Sequence, residues 1–381
     1  MTYGRYSRGP LPAGTPSPWA YTVYSVFFSA LALLLSTTTS KTIYGLRQTI
    51  REARRLGPYT LVQKIGEGGM GAVYRAQHAL LRRPTAIKIL PPERAGEMDL
   101  ARFERAVQMT SQLTSPHTVS VYDYGRTPDG LFYYAMEYLD GIDLQEIVRR
   151  DGPMPPGRVV FVLRQVCEAL AEAHRIGLVH RDIKPANILL SERGGRSDVA
   201  KVVDFGLVKN LSAASGSDAT GENTLLGTPH YMAPEALRSS DRVDARSDIY
   251  ALGATAYFLL TGAPVFEGSV PDVFAGHLKS EPVAPSRRVG RPIPPELEAL
   301  VLAALSKKPD ARPGSAEAFG AALADCRDVP PWTEADARAW WASRGAAIRA
   351  ARASAASATT SSTAPTVLVT RSAARVPGAP A

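Results

Sequence analysis

The chain has 381 residues, enough for two or three average domains, and a formal net charge of +8 at pH 7. The excess charge lies at the ends: residues 1–57 hold seven Lys and Arg against one Glu, and residues 328–381 hold six Arg against three acids, whereas residues 58–327 hold 31 basic and 32 acidic side chains. This distribution argues against a nucleic-acid-binding core and favours contact between the ends and an anionic membrane surface. Cys167 and Cys326 form neither a metal-ligand spacing nor a disulfide framework, which indicates a reducing compartment.

An uncharged and mostly apolar stretch near the amino terminus predicts a single transmembrane helix over residues 19–40. Its length fits the roughly 20 residues that a bilayer core requires. Five basic residues follow it within residues 41–57, against Arg5 and Arg8 before it, so the positive-inside rule places everything after the span in the cytoplasm. Residues 1–18 would be a short extracytoplasmic end, and 41–57 a basic juxtamembrane helix or a plain linker. The alternative is a cleaved signal peptide, because the two arginines precede the apolar run.

A glycine-rich stretch follows a strand-like segment that ends at Ile65. It consists of Gly66-Glu67-Gly68-Gly69-Met70-Gly71, and glycines let backbone amides close over phosphate groups because no Cβ stands in the way. A lone GxGxxG also fits a dinucleotide-binding fold, but a helix follows there, whereas Val73-Tyr74-Arg75-Ala76 continues as a strand. The pattern therefore favours a phosphate-binding loop between two strands. Ala86-Ile87-Lys88 then places one lysine on the third strand.

The most specific pattern lies near the middle of the chain, in Val179-His180-Arg181-Asp182-Ile183-Lys184-Pro185-Ala186-Asn187-Ile188-Leu189 and the later Asp204-Phe205-Gly206. An Asp and an Asn five residues apart, with a Lys between them, are typical of a base, a charge clamp and a metal ligand on one loop. Asp204 adds a second oxygen ligand of the kind that Mg²⁺ and ATP phosphates require. These H-R-D-x-x-x-x-N and D-F-G motifs resemble the catalytic loop and metal-binding segment of the protein kinase family, and Lys184 is the form found in serine/threonine kinases.

The resemblance covers about residues 59–326, some seven-tenths of the chain. It implies an α+β, two-lobed protein kinase fold over residues 58–327, after the single transmembrane helix. The small β-rich lobe would occupy residues 58–137, and the larger helical lobe residues 138–327. The Gly-Gly-Met-Gly sequence of the glycine-rich loop is similar to that of bacterial serine/threonine kinases in particular.

The resemblance also implies a role for each polar residue of the site. Asp182 would orient the substrate hydroxyl and accept its proton, Lys184 would steady the γ-phosphate, and Lys88 would contact the α- and β-phosphates. Asn187 and Asp204 would hold Mg²⁺, with Mn²⁺ as an alternative ion. The residues implied for ATP binding are Ile65, Gly66, Glu67, Gly68, Gly69, Met70, Gly71, Val73, Ala86, Lys88, Met136, Glu137, Leu139, Asp143 and Leu189.

One position departs from the family pattern. The helix after the third strand approximately follows Arg-Phe-x-Arg-Glu-x-Gln in the family, where its Glu pairs with the strand lysine, but this chain has Ala106 at that place. Glu104 lies about 200° around the helix and Asp99 about 10 Å along its axis, so neither is an easy substitute. We therefore expect Lys88 to move more freely or to pair with Asp204, and activity to be low without a partner.

The segment from Asp204 to Glu235 resembles the activation segment of the family. Its Ser-, Ala- and Gly-rich sequence is of the kind that one phosphate orders by meeting an arginine, and Arg181 is the arginine that such kinases use. Thr224 matches the usual primary phosphosite, and Thr220 is the second candidate.

The rest of the chain predicts structural supports and a tail. An apolar stripe at helical spacing over residues 158–177 predicts a core helix. Asp248 and a Glu235–Arg312 pair resemble the family's supports of the catalytic loop, and His174 and His180 are expected to be structural. Residues 328–381 are expected to form a short helix and then a disordered tail, because the Ala/Ser/Thr/Arg sequence from residue 343 onwards cannot bury a core.

These patterns predict a membrane-anchored, bacterial-type serine/threonine protein kinase that autophosphorylates on its activation segment. Its partners would be ATP, protein substrates and the membrane, without nucleic acid, and a homodimer stays open. A cleaved leader would export an ATP-using domain to where ATP is scarce, so the expected location is the cell membrane, with the kinase domain in the cytoplasm. The rival prediction is a membrane-tethered pseudokinase or weakly active kinase that acts as a binding module, and it rests on Ala106 alone.

Overall fold

The computed structural model describes residues 55–68, 71–90, 97–127, 131–205, 229–239 and 242–360. The predicted transmembrane segment at residues 19–40 and the phosphosite candidates Thr224 and Thr220 lie outside these ranges. Among the described helices, none combines the length and the apolar character that a bilayer crossing requires.

The chain divides into two compact units. The described part of the first comprises residues 55–63 and 76–83. In it β1 (Arg55–Leu56) pairs antiparallel with the start of β2 (Tyr59–Gly68). The ring of Tyr59 meets that of His78 edge-on, with 5.3 Å between the ring centroids.

The second unit contains residues 64–75 and everything from Pro84 onwards. The far end of β2, the start of β3 (Gly71–His78) and the strands β4 (Pro84–Leu90), β5 (Val121–Arg126) and β6 (Phe132–Glu137) form its sheet, in the order β2-β3-β4-β6-β5. All six residues of β6 are buried, as a central strand of mostly apolar and aromatic residues requires. The helix α1 (Glu97–Ser111) places Ala106 and Val107 in one buried cluster with residues of β4 and β6.

A second, three-stranded sheet leads into the helical part of this unit. Its strands are β7 (Gly141–Asp143), β8 (Ile188–Arg193) and β9 (Arg196–Val202), in that order. The helices α2 (Leu144–Asp151) and α3 (Pro156–Arg175) lie between β7 and β8 in the chain. The predicted stripe of α3 is confirmed as core, since its apolar members Val159, Val162, Leu163, Val166, Leu170 and Ala173 are all buried.

The helix α5 (Ala245–Thr261) is the centre of the helical core, and every residue from Ser247 to Thr261 is buried. At Gly253 an added Cβ would lie 2.7 Å from the Cβ of Ala304, so glycine allows the neighbouring helix to approach closely. The other helices around this core are α4 (Pro234–Arg238), α6 (Val270–Lys279), α7 (Pro285–Val289), α8 (Pro295–Ala304) and α9 (Ala316–Asp325).

Two further helices follow the predicted kinase region. α10 (Glu334–Trp340) runs through a π-turn at Trp341–Gly345 into α11 (Ala346–Thr360). Residues 343–360 are thus helical, whereas composition predicted a disordered tail from residue 343. The helix is held because Trp341 and Ile348 are buried in the core, and because alanine has the highest helix propensity.

One buried carboxylate anchors this carboxy-terminal segment. Asp198 of β9 accepts two hydrogen bonds from Arg158 of α3, both at 2.8 Å. The indole N–H groups of Trp332 and Trp341 donate to the same carboxylate at 2.9 and 2.7 Å. Further along, Arg352 Nε lies 2.7 Å from a carboxylate oxygen of Glu146 in α2. The segment therefore packs as part of the folded domain.

Candidate active site

The loop that carries the HRD motif is held in place by an aspartate of α5. Asp248 is 1% exposed, and its two oxygens accept the backbone N–H groups of His180 and Arg181 at 2.8 Å each. His174 Nε2 lies 2.8 Å from the same carboxylate. Arg181 has φ 65°, a strained backbone conformation for arginine that this contact stabilises. The predicted supporting role of Asp248 is confirmed.

His180 connects this loop to the segment that carries Asp204. Its Nε2 donates to the carbonyl of Val203 at 3.0 Å, and its Nδ1 accepts the backbone N–H of Asp182 at 3.2 Å. Its ring centroid lies 4.6 Å from that of Phe205. Burial lowers the pKa of His180, which favours the neutral ring that one donor and one acceptor contact require. His180 is therefore structural, as the sequence predicted.

Three of the predicted catalytic and metal-binding side chains meet on the loop. Lys184 Nζ lies 2.7 Å from Asp182 Oδ2. The amide nitrogen of Asn187 donates to that same oxygen at 2.9 Å and to the backbone carbonyl of Asp182 at 2.7 Å. Because the nitrogen of Asn187 is used in this way, its amide oxygen is the atom available to a cation.

Asp204 receives contacts from two residues of the first sheet. Lys88 Nζ lies 2.8 Å from Asp204 Oδ2, and the Tyr134 hydroxyl donates to Asp204 Oδ1 at 2.9 Å. Burial alone would raise the pKa of Asp204, but the charge of Lys88 and the two hydrogen bonds outweigh it, so the pKa lies below its ordinary value. Asp204 is therefore ionised at neutral pH.

Several of the apolar residues predicted to bind ATP lie together. Ala86 and Met136 are buried members of one cluster, and Val73 and Leu139 pack against it while partly buried. Leu189 lies on β8 and is half-buried outside that cluster. Four of the apolar residues predicted to bind ATP are thus brought to one place.

The glycine-rich loop is described except at its tip. Ile65–Gly68 end β2 and Gly71 begins β3, whereas Gly69 and Met70 lie outside the described residues. Gly71 has φ 129°, and an added Cβ would lie 2.1 Å from the carbonyl oxygen of Ile89. This position therefore accepts only glycine.

Two polar residues predicted to bind ATP use their side chains elsewhere. Glu137 is 4% exposed, and its carboxylate pairs with Arg193 and, at 3.1 Å, with Lys201. Only the backbone of Glu137 is then a candidate for adenine. Asp143 caps the first turn of α2, because its Oδ1 accepts the backbone N–H of Glu146 at 2.8 Å.

The family model "Protein kinase domain" matches residues 59–322. The chain belongs to the protein kinase family. Over 271 residues it is 44% identical to serine/threonine-protein kinase pkn3 of Myxococcus xanthus, which covers 70% of this kinase and 49% of that protein. It is 42% identical over 259 residues to serine/threonine-protein kinase PknB of Mycolicibacterium smegmatis, covering 67% of this kinase and 40% of the relative. The crystal structure of the PknI kinase domain of Mycobacterium tuberculosis matches with 31% identity and a TM-score of 0.56, over 71% of this kinase and 97% of that chain. The kinase therefore spans half or less of the two curated relatives.

The structure shows the surroundings of Ala106, where the sequence departs from the pattern expected for the family. Ala106 is 4% exposed and belongs to the same buried cluster as Tyr134. Of the two expectations for Lys88, the structure shows the pairing with Asp204. The helix position that carries glutamate in the family therefore faces the interior of this kinase and contributes only a methyl group.

Tyr134 is the residue of the site that the sequence interpretation missed. Neither Tyr133 nor Tyr134 is among the residues that the sequence predicts for the site. The feature that identifies Tyr134 is the antiparallel register of β4 and β6, which places it directly opposite Lys88.

The predicted Glu235–Arg312 pair joins α4 to the residues that precede α9. Two hydrogen bonds join the guanidinium of Arg312 to the carboxylate of Glu235 at 2.7 and 2.8 Å, and Ser247 Oγ donates to the same carboxylate at 2.6 Å. Burial would raise the pKa of Glu235, but these hydrogen bonds hold it below its ordinary value. The predicted pair is confirmed.

Proposed function

We propose that this chain is a serine/threonine protein kinase that transfers the γ-phosphate of Mg-ATP to protein Ser and Thr hydroxyls. The observation that carries the proposal is the convergence of Lys184 and Asn187 on one oxygen of Asp182, at 2.7 and 2.9 Å. The two curated relatives described above are both named as serine/threonine-protein kinases. A carboxylate oriented in this way beside a lysine matches the parts that phosphoryl transfer requires.

The residues of the loop would act by orientation and charge neutralisation. Asp182 accepts the proton of the substrate hydroxyl, whose oxygen forms the new bond to the γ-phosphorus as the bond to the departing ADP oxygen breaks. Lys184, held beside Asp182, neutralises charge on the transferred group. Lys88 does the same for the α- and β-phosphates.

The side chains present fit a magnesium ion. Asp204 offers a carboxylate. Asn187 offers its amide oxygen, because the amide nitrogen of Asn187 is hydrogen-bonded to Asp182. Magnesium commonly takes one or two protein oxygens together with substrate phosphates. Accordingly, no cluster of three or more His, Cys, Asp or Glu suited to a metal occurs among the described residues. When bound, the ion would neutralise and orient the phosphates, and Mn²⁺ would serve in the same place.

Replacement of Asp182 tests the proposed reaction. In the purified full chain, Asp182→Asn should lower phosphotransfer from radiolabelled ATP by about 10²–10⁴-fold, the range for loss of a general base. Binding of ATP should change little, because the nucleotide rests on other residues. Full activity in this variant would remove Asp182 from its proposed role.

A nucleotide-binding module without phosphotransfer is the second candidate, and Ala106 favours it. A chain without the helix glutamate lacks the Lys–Glu ion pair that phosphotransfer in the family requires. Under this alternative the wild-type chain binds ATP, and Asp182→Asn has the same background phosphate incorporation as the wild type.

We also propose that residues 19–40 anchor the kinase in the cell membrane, with the catalytic residues in the cytoplasm. The support is the uncharged apolar run and the five basic residues that follow it. Deletion of residues 1–40 should release the protein from the membrane fraction. If the shortened protein still sediments with membranes at high salt, the apolar run is not the anchor.

Phosphorylation of the activation segment is the proposed means of activation, with Thr224 as the main site and Thr220 as the second. The support is the position of Thr224 four residues before the Gly-Thr-Pro sequence at Thr228. Mass spectrometry of the autophosphorylated chain should find phosphate on Thr224, and Thr224→Ala should lower activity. Fully active enzyme with an unmodified Thr224 would contradict this site.

A further inference from the structure

Tyr134 of β6 takes part in the contact between Lys88 and Asp204. Its hydroxyl donates to Asp204 Oδ1 at 2.9 Å, while Lys88 Nζ lies 2.8 Å from Asp204 Oδ2. One carboxylate is therefore held at both oxygens, by a cation on one side and a neutral donor on the other. Two directional contacts of this kind fix the rotation of a carboxylate as well as its position.

The pairing of β4 with β6 determines which tyrosine can do this. Lys88 and Tyr134 are directly opposite each other in the register, and directly opposite residues project to the same face of a sheet. The adjacent Tyr133 projects to the other face. Its hydroxyl would lie 2.8 Å from a Cβ added at Gly125 on β5. Tyr133 is thus a matched tyrosine on the same strand, outside the site.

Ala106 explains why this contact matters in the present chain. Its methyl group is buried in the cluster that contains Tyr134, and it cannot hold an ammonium group. Lys88 is itself 4% exposed, so its charge requires a partner. Among the ion pairs of the described residues, that partner is Asp204. Tyr134 is 1% exposed, and a buried hydroxyl also requires an acceptor, which Asp204 provides.

We propose that Tyr134 is a positioning residue for phosphotransfer, whose hydroxyl fixes Asp204 as the counter-ion of Lys88 in place of the helix glutamate. The inference deepens the proposed kinase function and rests on it. Lys88 then presents its ammonium group to the α- and β-phosphates from a defined place. The family's two-part arrangement of lysine and helix glutamate becomes a three-part arrangement of lysine, aspartate and tyrosine.

Two phenylalanine variants of the full chain test this role. Tyr134→Phe should weaken the binding of metal-free ADP roughly tenfold, the size expected when a charge-assisted contact is lost. Tyr133→Phe should leave it within about twofold, because that hydroxyl is outside the site. Isothermal titration calorimetry in the presence of EDTA measures both without requiring catalysis. An equal loss in both variants, or an unchanged or tighter affinity in Tyr134→Phe, overturns the proposal.

Restoring the helix glutamate separates positioning from simple packing. In an Ala106→Glu background Lys88 has a partner of its own, so adding Tyr134→Phe should weaken ADP binding by less than about twofold. A loss that remains near tenfold in this background means that the hydroxyl acts in another way, and it overturns the proposal. If the Ala106→Glu chain does not fold, as its melting temperature would reveal, the comparison of the two tyrosines alone decides.

The proposed function and the role of Tyr134 can fail separately. If the wild-type chain transfers no phosphate but Tyr134→Phe selectively loses ADP affinity, the proposed reaction is wrong, whereas the hydroxyl still positions Lys88 for nucleotide binding. If the wild-type chain transfers phosphate and Tyr134→Phe binds ADP normally, the reaction stands and the positioning role is wrong. A wild-type chain that binds no ADP overturns both.

Discussion

Asp198 and Asp204 lie six residues apart, and each contacts a cationic side chain and at least one aromatic donor, yet their surroundings differ. Both have positive φ, at 54° and 61°. Asp198 is fully buried with Arg158, and its carboxylate accepts from two indole N–H groups as well. The Asp204 side chain is 27% exposed, and it contacts Lys88 and Tyr134. The same types of residue therefore form one closed cluster and one partly open cluster.

The difference lies in how completely each carboxylate is surrounded. In the closed cluster four hydrogen bonds reach one carboxylate that has no exposed surface, so no coordination is left for a ligand. In the open cluster each oxygen of Asp204 has one such contact, and part of the side chain faces solvent. We infer that a closed cluster stabilises the fold, whereas an open one remains able to exchange partners during a reaction.

Asp198→Asn is expected to have the largest effect on stability. It removes the charge that Arg158 requires in a fully buried place, which typically costs about 3–5 kcal/mol in the free energy of unfolding. Chemical denaturation of the full chain measures this change. Asp204→Asn is the matched variant, and it should abolish phosphotransfer with a much smaller loss of stability. If both variants lose stability equally, the distinction between closed and open clusters is wrong.

Ala106→Glu should give Lys88 a new partner in the open cluster and raise the rate of phosphotransfer. A glutamate at this position would pair with Lys88 and release Asp204, and a charge-assisted contact of about 1–3 kcal/mol corresponds to a roughly ten- to a hundredfold gain in phosphotransfer. The rate of the purified chain with ATP and Mg²⁺ measures it, and the wild-type rate should be low. Lys88→Met should remove the gain, because the new glutamate would have no partner. An unchanged rate would mean that Asp204 already performs the whole task.

Trp332→Phe should have the smallest effect. It removes one indole N–H donor to Asp198 while retaining an aromatic ring, and loss of one hydrogen bond to a charged group costs about 1.5–3 kcal/mol at most. The free energy of unfolding should therefore fall less than in Asp198→Asn, with no change in the KM for ATP. A larger loss than in Asp198→Asn would show that ring packing, not the carboxylate, anchors the segment.

The sequence was sufficient for those parts of the site that short motifs encode. Asp182, Lys184 and Asn187 lie within five residues of each other, so the loop itself brings them together. The pairing of Lys88 with Asp204 was one of two expectations, and it followed from the absence of a glutamate at position 106. Local spacing in the motifs and the missing glutamate at position 106 were therefore enough to predict most of the contacts in the site.

The remaining features depend on partners that are distant in the chain. Tyr133 and Tyr134 are indistinguishable by composition, and only the register of β6 against β4 selects the one that reaches Asp204. Asp198 meets Arg158 from 40 residues away and Trp341 from 143 residues away, with no motif that marks either contact. Composition failed to predict the helix after residue 343 for the same reason. The residues that hold this helix in place lie in other elements.

The cluster around Asp198 also gives the protein an intrinsic optical signal. The chain has four tryptophans, and Trp332, Trp340 and Trp341 all lie in the segment that packs on Arg158 and Asp198. The guanidinium of Arg158 is 3.8 Å from the ring centroid of Trp340. Indole emission responds to water and to nearby charge. Most of the tryptophan fluorescence of this chain therefore reports on the contact between the carboxy-terminal segment and the pair Arg158 and Asp198. Release of the carboxy-terminal helices would appear as a shift to longer wavelength, without any added label.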